Sequence, residues 1–276
     1  MPEPPEANLA LSLVLGILVG GVMGITGAGG GILAVPALVG GLGWTVQQAA
    51  PVALIAVASG ASIGALDGLR REQVRYRAAI LMAIVGIPCT SPGLRLAHSL
   101  SPQWLMGTFA VLLLGVAARL IHQSRTAAHR IPGDSKSPLG RLNPVTGRFA
   151  WTWSTGLLLG AIGGLAGFVS GLLGVGGGFI IVPMLHRFTS LSIESTVATS
   201  LLVIALVGTG GVVTALLHGA TLPLTITALF SAAAIAGMLI GRQFGRRLSA
   251  VQIQRGFGLL LLIVAVWLLV RTAMGW

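Results

Sequence analysis

The chain has 276 residues, of which 54% are apolar and only 8% are charged. A water-soluble protein of this composition would lack the polar surface to cover its core, so we expect an all-α polytopic membrane protein. The net charge of +11 comes from short basic stretches without interleaved aromatic residues, so we expect no nucleic-acid partner. Long apolar runs such as residues 258–270 exclude a β-barrel, whose strands alternate in polarity.

Ten apolar segments follow one another along the chain, and a polar stretch divides them into two groups of five. They cover residues 9–25, 32–43, 49–66, 78–94, 104–121, 153–172, 179–185, 196–217, 222–240 and 256–270. The polar stretch, residues 122–150, is basic and rich in Pro, Gly and Ser, which predicts a cytoplasmic linker. The sequence therefore predicts a first helical repeat over residues 9–121 and a second over residues 151–273.

A glycine-rich stretch occurs twice, with its two copies 147 positions apart. The first copy contains Gly27, Gly29, Gly30 and Gly31, the second contains Gly174, Gly176, Gly177 and Gly178, and a Val-Pro pair follows each. Each stretch interrupts an apolar segment and leaves free amide donors at the start of the next helix, where anions bind. We predict that the two breaks form broken or re-entrant helices near the membrane midplane and that both line a substrate site.

Hydroxyl side chains near the two breaks are further candidates for contact with the substrate. They are Thr26, Ser170, Thr199 and Ser200. A hydroxyl donates a hydrogen bond to an anion without placing a cation in the membrane, where a charge is costly. Because we expect no Lys or Arg inside a membrane core, we predict that the site selects its anion through dipoles alone.

The distribution of basic residues predicts how the two repeats are oriented. Residues 69–77, the linker and residues 242–255 are strongly basic, and the positive-inside rule assigns such short loops to the cytoplasm. The equivalent loops of the two copies then lie on opposite sides, so we predict inverted repeats. Both termini are predicted outside, with Arg95 and Arg271 as the only basic residues there.

At the glycine stretches the chain resembles the sulfite exporter TauE/SafE family, also called the toluene sulfonate uptake permease family. The residues that carry the resemblance are Gly171 to Gly178 with Val182 and Pro183, Thr199 with Ser200, and the weaker first copy from Gly24 to Pro36. The chain departs from this pattern at Val52 and Ala53, which occupy the first-copy positions of Thr199 and Ser200. The resemblance implies a transporter of sulfite, sulfonates or related small anions, commonly outward, and we expect it in the bacterial inner membrane.

The residues leave other functions open. An anion channel would also use the two glycine breaks, and a proton- or sodium-coupled uptake permease would need an acid such as Asp67 or Glu194. An intramembrane hydrolase would use Ser62, in a Gly-x-Ser-x-Gly sequence, with His218 as its base. That motif lies in a predicted helix rather than a strand-to-helix turn, so we expect no enzyme. We also expect no cofactor and no metal; the expected partners are a small anion and the lipid bilayer, and the oligomeric state is not predicted.

Overall fold

The computed structural model describes residues 6–27, 30–126, 152–189, 191–220, 222–245 and 247–274. These residues form ten α-helices and one short 3-10 helix. The helices are α1 (Glu6–Thr26), α2 (Ala34–Leu42), α3 (Val46–Arg70), α4 (Tyr76–Ser99), α5 (Pro102–Thr126), α6 (Trp153–Leu173), α7 (Gly178–Phe188), α8 (Ile193–Leu217), α9 (Leu224–Gly245) and α10 (Ala250–Ala273), and the 3-10 helix is Gly30–Leu33.

Eight of the described helices are long and apolar enough to cross a membrane, and only α2 and α7 are shorter. Apolar side chains on the outer surface remain more than half exposed, among them Leu18, Ile84, Leu157 and Ile263. Apolar side chains exposed on so many helices are favourable in contact with lipid and unfavourable in contact with water. The predicted all-α, multi-pass membrane fold is thus confirmed.

Several of the helices begin with matching side-chain caps. The Thr45 hydroxyl accepts a hydrogen bond from the backbone N–H of Gln48 at the start of α3. The Ser192 hydroxyl accepts one from the N–H of Ser195 at the start of α8, which is the same position one repeat length later. Such caps satisfy amides that have no partner within the helix. The duplicated sequence therefore produces duplicated helix starts.

Glycines let two pairs of helices pack backbone against backbone, α1 on α9 and α4 on α6. A Cβ added at Gly20 would lie 1.9 Å from the carbonyl oxygen of Ala234, and one at Gly167 would lie 2.0 Å from that of Gly86. Gly20 and Gly167 are equivalent positions of the two copies. These two seams therefore require glycine, as is common where membrane helices approach closely.

Helices α3 and α8 pack against each other, and one glycine of each break, Gly31 and Gly176, lies beside Val57 in the middle of α3. A Cβ at Gly31 would lie 2.8 Å from Val57 Cγ1 and 3.4 Å from the Val175 oxygen. One at Gly176 would lie 3.0 Å from Val57 Cγ1 and 3.1 Å from Ile204 Cγ2. The two breaks, which are far apart in sequence, therefore meet at the centre of the fold.

Helix α5 continues to Thr126, five residues beyond the predicted end of the first repeat. The rest of the predicted linker, residues 127–150, lies outside the described residues. The division into two repeats and a linker remains a prediction.

Candidate functional site

The glycine breaks contain backbone conformations that favour glycine. The φ angle is +85° at Gly27, which follows α1, and +72° at Gly174, which follows α6. It is +75° at Gly176 and +69° at Gly177, the residue that caps α7. Side chains other than glycine adopt such angles at a cost, which explains why glycines cluster here. Gly29, the remaining member of the first predicted cluster, lies outside the described residues.

Close packing surrounds several of the predicted site glycines. A Cβ at Gly30 would lie 2.3 Å from the Met23 backbone, and one at Gly174 would lie 2.4 Å from Ala50 Cβ. Gly31 and Gly176 meet at Val57, as described above. The structure thus brings these glycines to the centre of the fold, whereas Gly27 and Gly178 also line a large cavity.

The cavity has a volume of about 1060 Å³ and extends from Gly178 to one end of the bundle. That end carries Arg71, Gln73 and Glu194 at the termini of α3 and α8, and we call it the basic end. Gly178 and Phe179, the first two residues of α7, lie in the wall. Their amides precede the first intrahelical hydrogen bonds of α7, which Ile180 and Ile181 donate to the Gly177 oxygen. The positive end of a helix dipole therefore borders the cavity.

Three arginines also line the cavity: Arg71, Arg119 and Arg242. Asp67 pairs with Arg242, joining α3 to α9, and lies 3.0 Å from the Nε of Arg71. Arg119 is half-buried on α5 and has no carboxylate partner among the described residues. The arginines outnumber the nearby carboxylates, Asp67 and Glu194, so the lining of the cavity carries a net positive charge.

Arg119 bears on one expectation from the sequence. We expected no Lys or Arg within a membrane core, and Arg119 lies in the candidate span Pro102–His122, three residues before its end. The surrounding apolar residues conceal a single charge when hydropathy is averaged over a segment. The position of Arg119 within the apolar segment 104–121 was the signal that pointed to it.

Most of the predicted hydroxyl groups have partners within the protein. Thr26 donates to the Val22 oxygen at 2.8 Å, and Ser200 donates to the Val197 oxygen at 2.8 Å. Thr199 accepts a hydrogen bond from the backbone N–H of Arg75 at 3.0 Å. Ser170 is fully buried and its Oγ has no hydrogen-bond partner. Of these four residues, Thr26 alone lines the large cavity.

Sequence reasoning missed Thr196, in the first turn of α8. Its side chain is 1% exposed, its Oγ1 has no hydrogen-bond partner, and it lines the cavity. An unsatisfied buried hydroxyl is costly unless water or a ligand binds it. Thr196 lies three residues before Thr199, and this helical spacing was the available signal.

The residues considered for a hydrolase have structural partners. Ser62 lies within α3 and donates to the Ala58 oxygen at 2.8 Å. His218 follows α8, and its Nδ1 lies 2.8 Å from the Thr214 oxygen. Across the part of the chain that the structure describes, no three His, Cys, Asp or Glu side chains are grouped to hold a metal ion.

Comparison with known proteins identifies the family. The family model described as sulfite exporter TauE/SafE matches residues 12–268. The chain belongs to the TauE/SafE family. A probable membrane transporter protein of Xylella fastidiosa strain 9a5c is 28% identical to this TauE/SafE member over 270 residues, 96% of each chain. The probable membrane transporter protein YunE of Bacillus subtilis strain 168 is 27% identical over 255 residues, 86% of this chain and 87% of that one. No solved structure matches.

The resemblance inferred from the glycine stretches is therefore confirmed. This TauE/SafE protein is a multi-pass membrane transporter and not an enzyme.

Proposed function

We propose that this TauE/SafE protein exports a small sulfur-containing oxyanion, such as sulfite or an organosulfonate, by alternating access. The observation that carries the proposal is the start of α7, Gly178 and Phe179, in the wall of a cavity lined by arginines. A helix N-terminus and arginines both stabilise negative charge, and the guanidinium group matches the paired oxygens of an oxyanion. A spherical halide offers no paired oxygens to match the guanidinium group.

The binding site lies within this cavity. Gly178 supplies a backbone amide at its inner end, and Thr196, in the first turn of α8 near the basic end, supplies a buried hydroxyl without a protein partner. Of the residues predicted to bind the substrate, Thr26, Gly27 and Gly178 line the cavity, so we assign direct contact with the anion to these three. The remaining glycines, Gly30, Gly31, Gly174, Gly176 and Gly177, shape the two breaks that hold this site, and the buried hydroxyls of Ser170, Thr199 and Ser200 lie on the helices beside them.

The proposal includes inverted repeats with the basic end in the cytoplasm of a bacterial inner membrane. Equivalent helix contacts in the two copies support the repeat. Gly16 and Gly24 of α1 contact α9, and the equivalent Gly163 and Gly171 of α6 contact α4. Helix α6 is the counterpart of α1, and α4 is the counterpart of α9, so the same pair of helices packs through glycine in each copy. The positive-inside rule then gives both termini an outside location.

Direction follows from the membrane potential. An anion that leaves a cell with a negative interior gains about 2.3 kcal/mol per charge per 100 mV. Since the cavity opens at the basic end, this conformation faces the compartment from which the anion is exported.

A binding panel tests the proposal. Thermal unfolding of the purified protein is measured with sulfite, thiosulfate, C2 and C3 sulfonates, acetate, chloride and sulfate. A ligand at about 100 times its dissociation constant stabilises the protein by roughly 2.7 kcal/mol. We expect stabilisation by sulfite or a sulfonate at concentrations where chloride has no effect. If all the anions raised the unfolding temperature equally, or if none of them raised it, the proposed class of substrate would be wrong.

A further inference from the structure

The large cavity does not reach the end of the bundle opposite the basic end, and we call that end the closed end. There Thr45, Ser101 and Arg271 line a smaller cavity of about 350 Å³, and α10 contacts α2. Arg271 Nη1 donates to the Val39 oxygen at 2.9 Å, and its guanidinium lies 5.4 Å from the centre of the Trp267 ring. A Cβ at Gly40 would lie 2.8 Å from the Trp267 ring. The ring therefore packs directly on the backbone of α2.

The counterparts of α2 and α10 in the other copy are α7 and α5, and these two helices are arranged differently at the basic end. Phe109, Leu113 and Ala117 of α5 and Phe257, Leu261 and Ala265 of α10 are all buried, in a register of 148 positions. This register makes Arg119 the counterpart of Trp267, and the glycine register makes Arg187 the counterpart of Gly40. Val116 and Arg119 of α5 and Met184 of α7 all line the open cavity.

Charge distinguishes the two ends. If α7 moved onto α5 in the way that α2 lies on α10, Arg119 would approach Arg187. At the closed end, the equivalent positions are Trp267 and Gly40, which carry no charge. Arg187 is exposed and stacks on Phe188, at 5.7 Å from the ring centre, and Arg119 has no carboxylate partner among the described residues. Like charges repel strongly once water is removed from between them. An anion between the two arginines would convert the repulsion into attraction.

We propose that Arg119 binds the exported anion and that the basic end closes only when an anion lies between Arg119 and the end of α7 at His186 and Arg187. The inference rests on the proposed function, because the anion is its substrate. It also explains how the empty transporter returns. Once the anion has left on the far side, the two unscreened arginines drive α7 from α5 and reopen the basic end.

The experiment follows the closing of the basic end through a single cysteine. Met184→Cys, on the cavity wall of α7, is introduced with Cys89→Ser, and its labelling by a polar maleimide is timed in purified protein. We expect ethanesulfonate to slow labelling by at least about threefold, because it shifts the population to the closed form. Adding Arg119→Gln should abolish this slowing. Arg255→Gln, which removes an exposed charge near the same end but outside the cavity, should preserve it.

A third variant needs no ligand. Arg119→Trp introduces the residue that stands at the equivalent position of the closed end, Trp267. We expect this variant to slow labelling without ethanesulfonate, because the repulsion between Arg119 and Arg187 is removed. Labelling of Arg119→Trp at the rate of the Arg119 protein would overturn the inference. So would equal slowing by ethanesulfonate in the Arg119→Gln protein.

The two proposals fail differently. Thermal stabilisation by ethanesulfonate without any change in labelling would leave the anion transporter and overturn the gate. An effect of Arg119→Trp in a protein that no sulfur oxyanion stabilises would keep the charge-controlled closure and overturn the proposed substrate.

Discussion

At the scale of single residues, the hydroxyl groups separate structural from ligand-binding roles. A hydroxyl in a membrane helix usually bonds a carbonyl of the preceding turn, as Thr26 and Ser200 do. Thr196 differs because its Oγ1 is buried without a protein partner and the residue lines the cavity. We therefore assign the substrate hydrogen bond to Thr196.

Thr196→Val removes this hydroxyl and keeps the shape of the side chain. We expect the affinity for the anion to fall by up to about tenfold, the worth of one hydrogen bond, with little change in thermal stability. Binding is measured by titration calorimetry with the anion found in the panel. An unchanged dissociation constant would remove Thr196 from the site.

Thr199→Val is the matched control, since it makes the same change one turn along the same helix. Here the lost partner is the N–H of Arg75, so we expect a loss of stability of about 1–3 kcal/mol. Anion affinity should not change. If Thr199→Val weakened binding as much as Thr196→Val, the two hydroxyls could not be separated in this way.

The sequence predicted some of these residues and not others for physical reasons. The positive φ angles at Gly174, Gly176 and Gly177 follow from the glycine pattern, since few other residues adopt them. The partner of Thr199 lies 124 positions away in sequence, on the loop between α3 and α4. Such a contact depends on the tertiary fold, so the sequence pattern did not reveal it.

At the scale of helices, packing through glycine makes a prediction that compares two positions of α6. Gly167→Ala would place a Cβ 2.0 Å from the Gly86 oxygen, whereas nothing lies within 4 Å of one at Gly156. We expect Gly167→Ala to lose about 1–3 kcal/mol of stability as α4 and α6 are forced apart. Gly156→Ala should be neutral or gain up to about 1 kcal/mol from helix propensity.

Thermal unfolding in one detergent measures both variants. Equal midpoints for the two would mean that α4 and α6 do not pack closely through glycine.

Helix positions were predictable because hydropathy records membrane spans directly. The apolar segment 196–217, for example, coincides with most of α8 (Ile193–Leu217). The cavity was not predictable, because it is formed by side chains from helices that are distant in sequence. Arg119 lies on α5 and Arg242 on α9, and only the packed bundle brings them to one cavity.

At the scale of the whole molecule, the proposed inversion predicts opposite locations for two equivalent loops. Single cysteines are placed at Ser99, where α4 ends, and at Ser249, just before α10, each with Cys89→Ser. Both residues are exposed. We expect a membrane-impermeant maleimide to label Ser99→Cys in intact cells and Ser249→Cys only after lysis. Labelling of both from the same side would contradict inverted repeats.

The duplicated glycine stretch correctly indicated the family and a helical membrane transporter, because backbone geometry at a broken helix restricts sequence strongly. It carried less information about selectivity. The arginines of the cavity have no counterparts in the other copy: Arg119 aligns with Trp267, and Arg242 aligns with Leu94 in the same 148-position register. The repeat pattern therefore did not predict the cavity arginines, because they occur in one copy only.

Flux through a sealed membrane tests the central claim most directly. Proteoliposomes are loaded with sulfite, and its efflux is followed after a potassium diffusion potential makes the interior negative by 100 mV. Since that potential favours anion exit by about 2.3 kcal/mol per charge, we expect protein-dependent efflux that accelerates with the potential and is inhibited by sulfonates. If sulfite and sulfonates leave no faster than from protein-free liposomes, the protein is not an exporter of sulfur oxyanions.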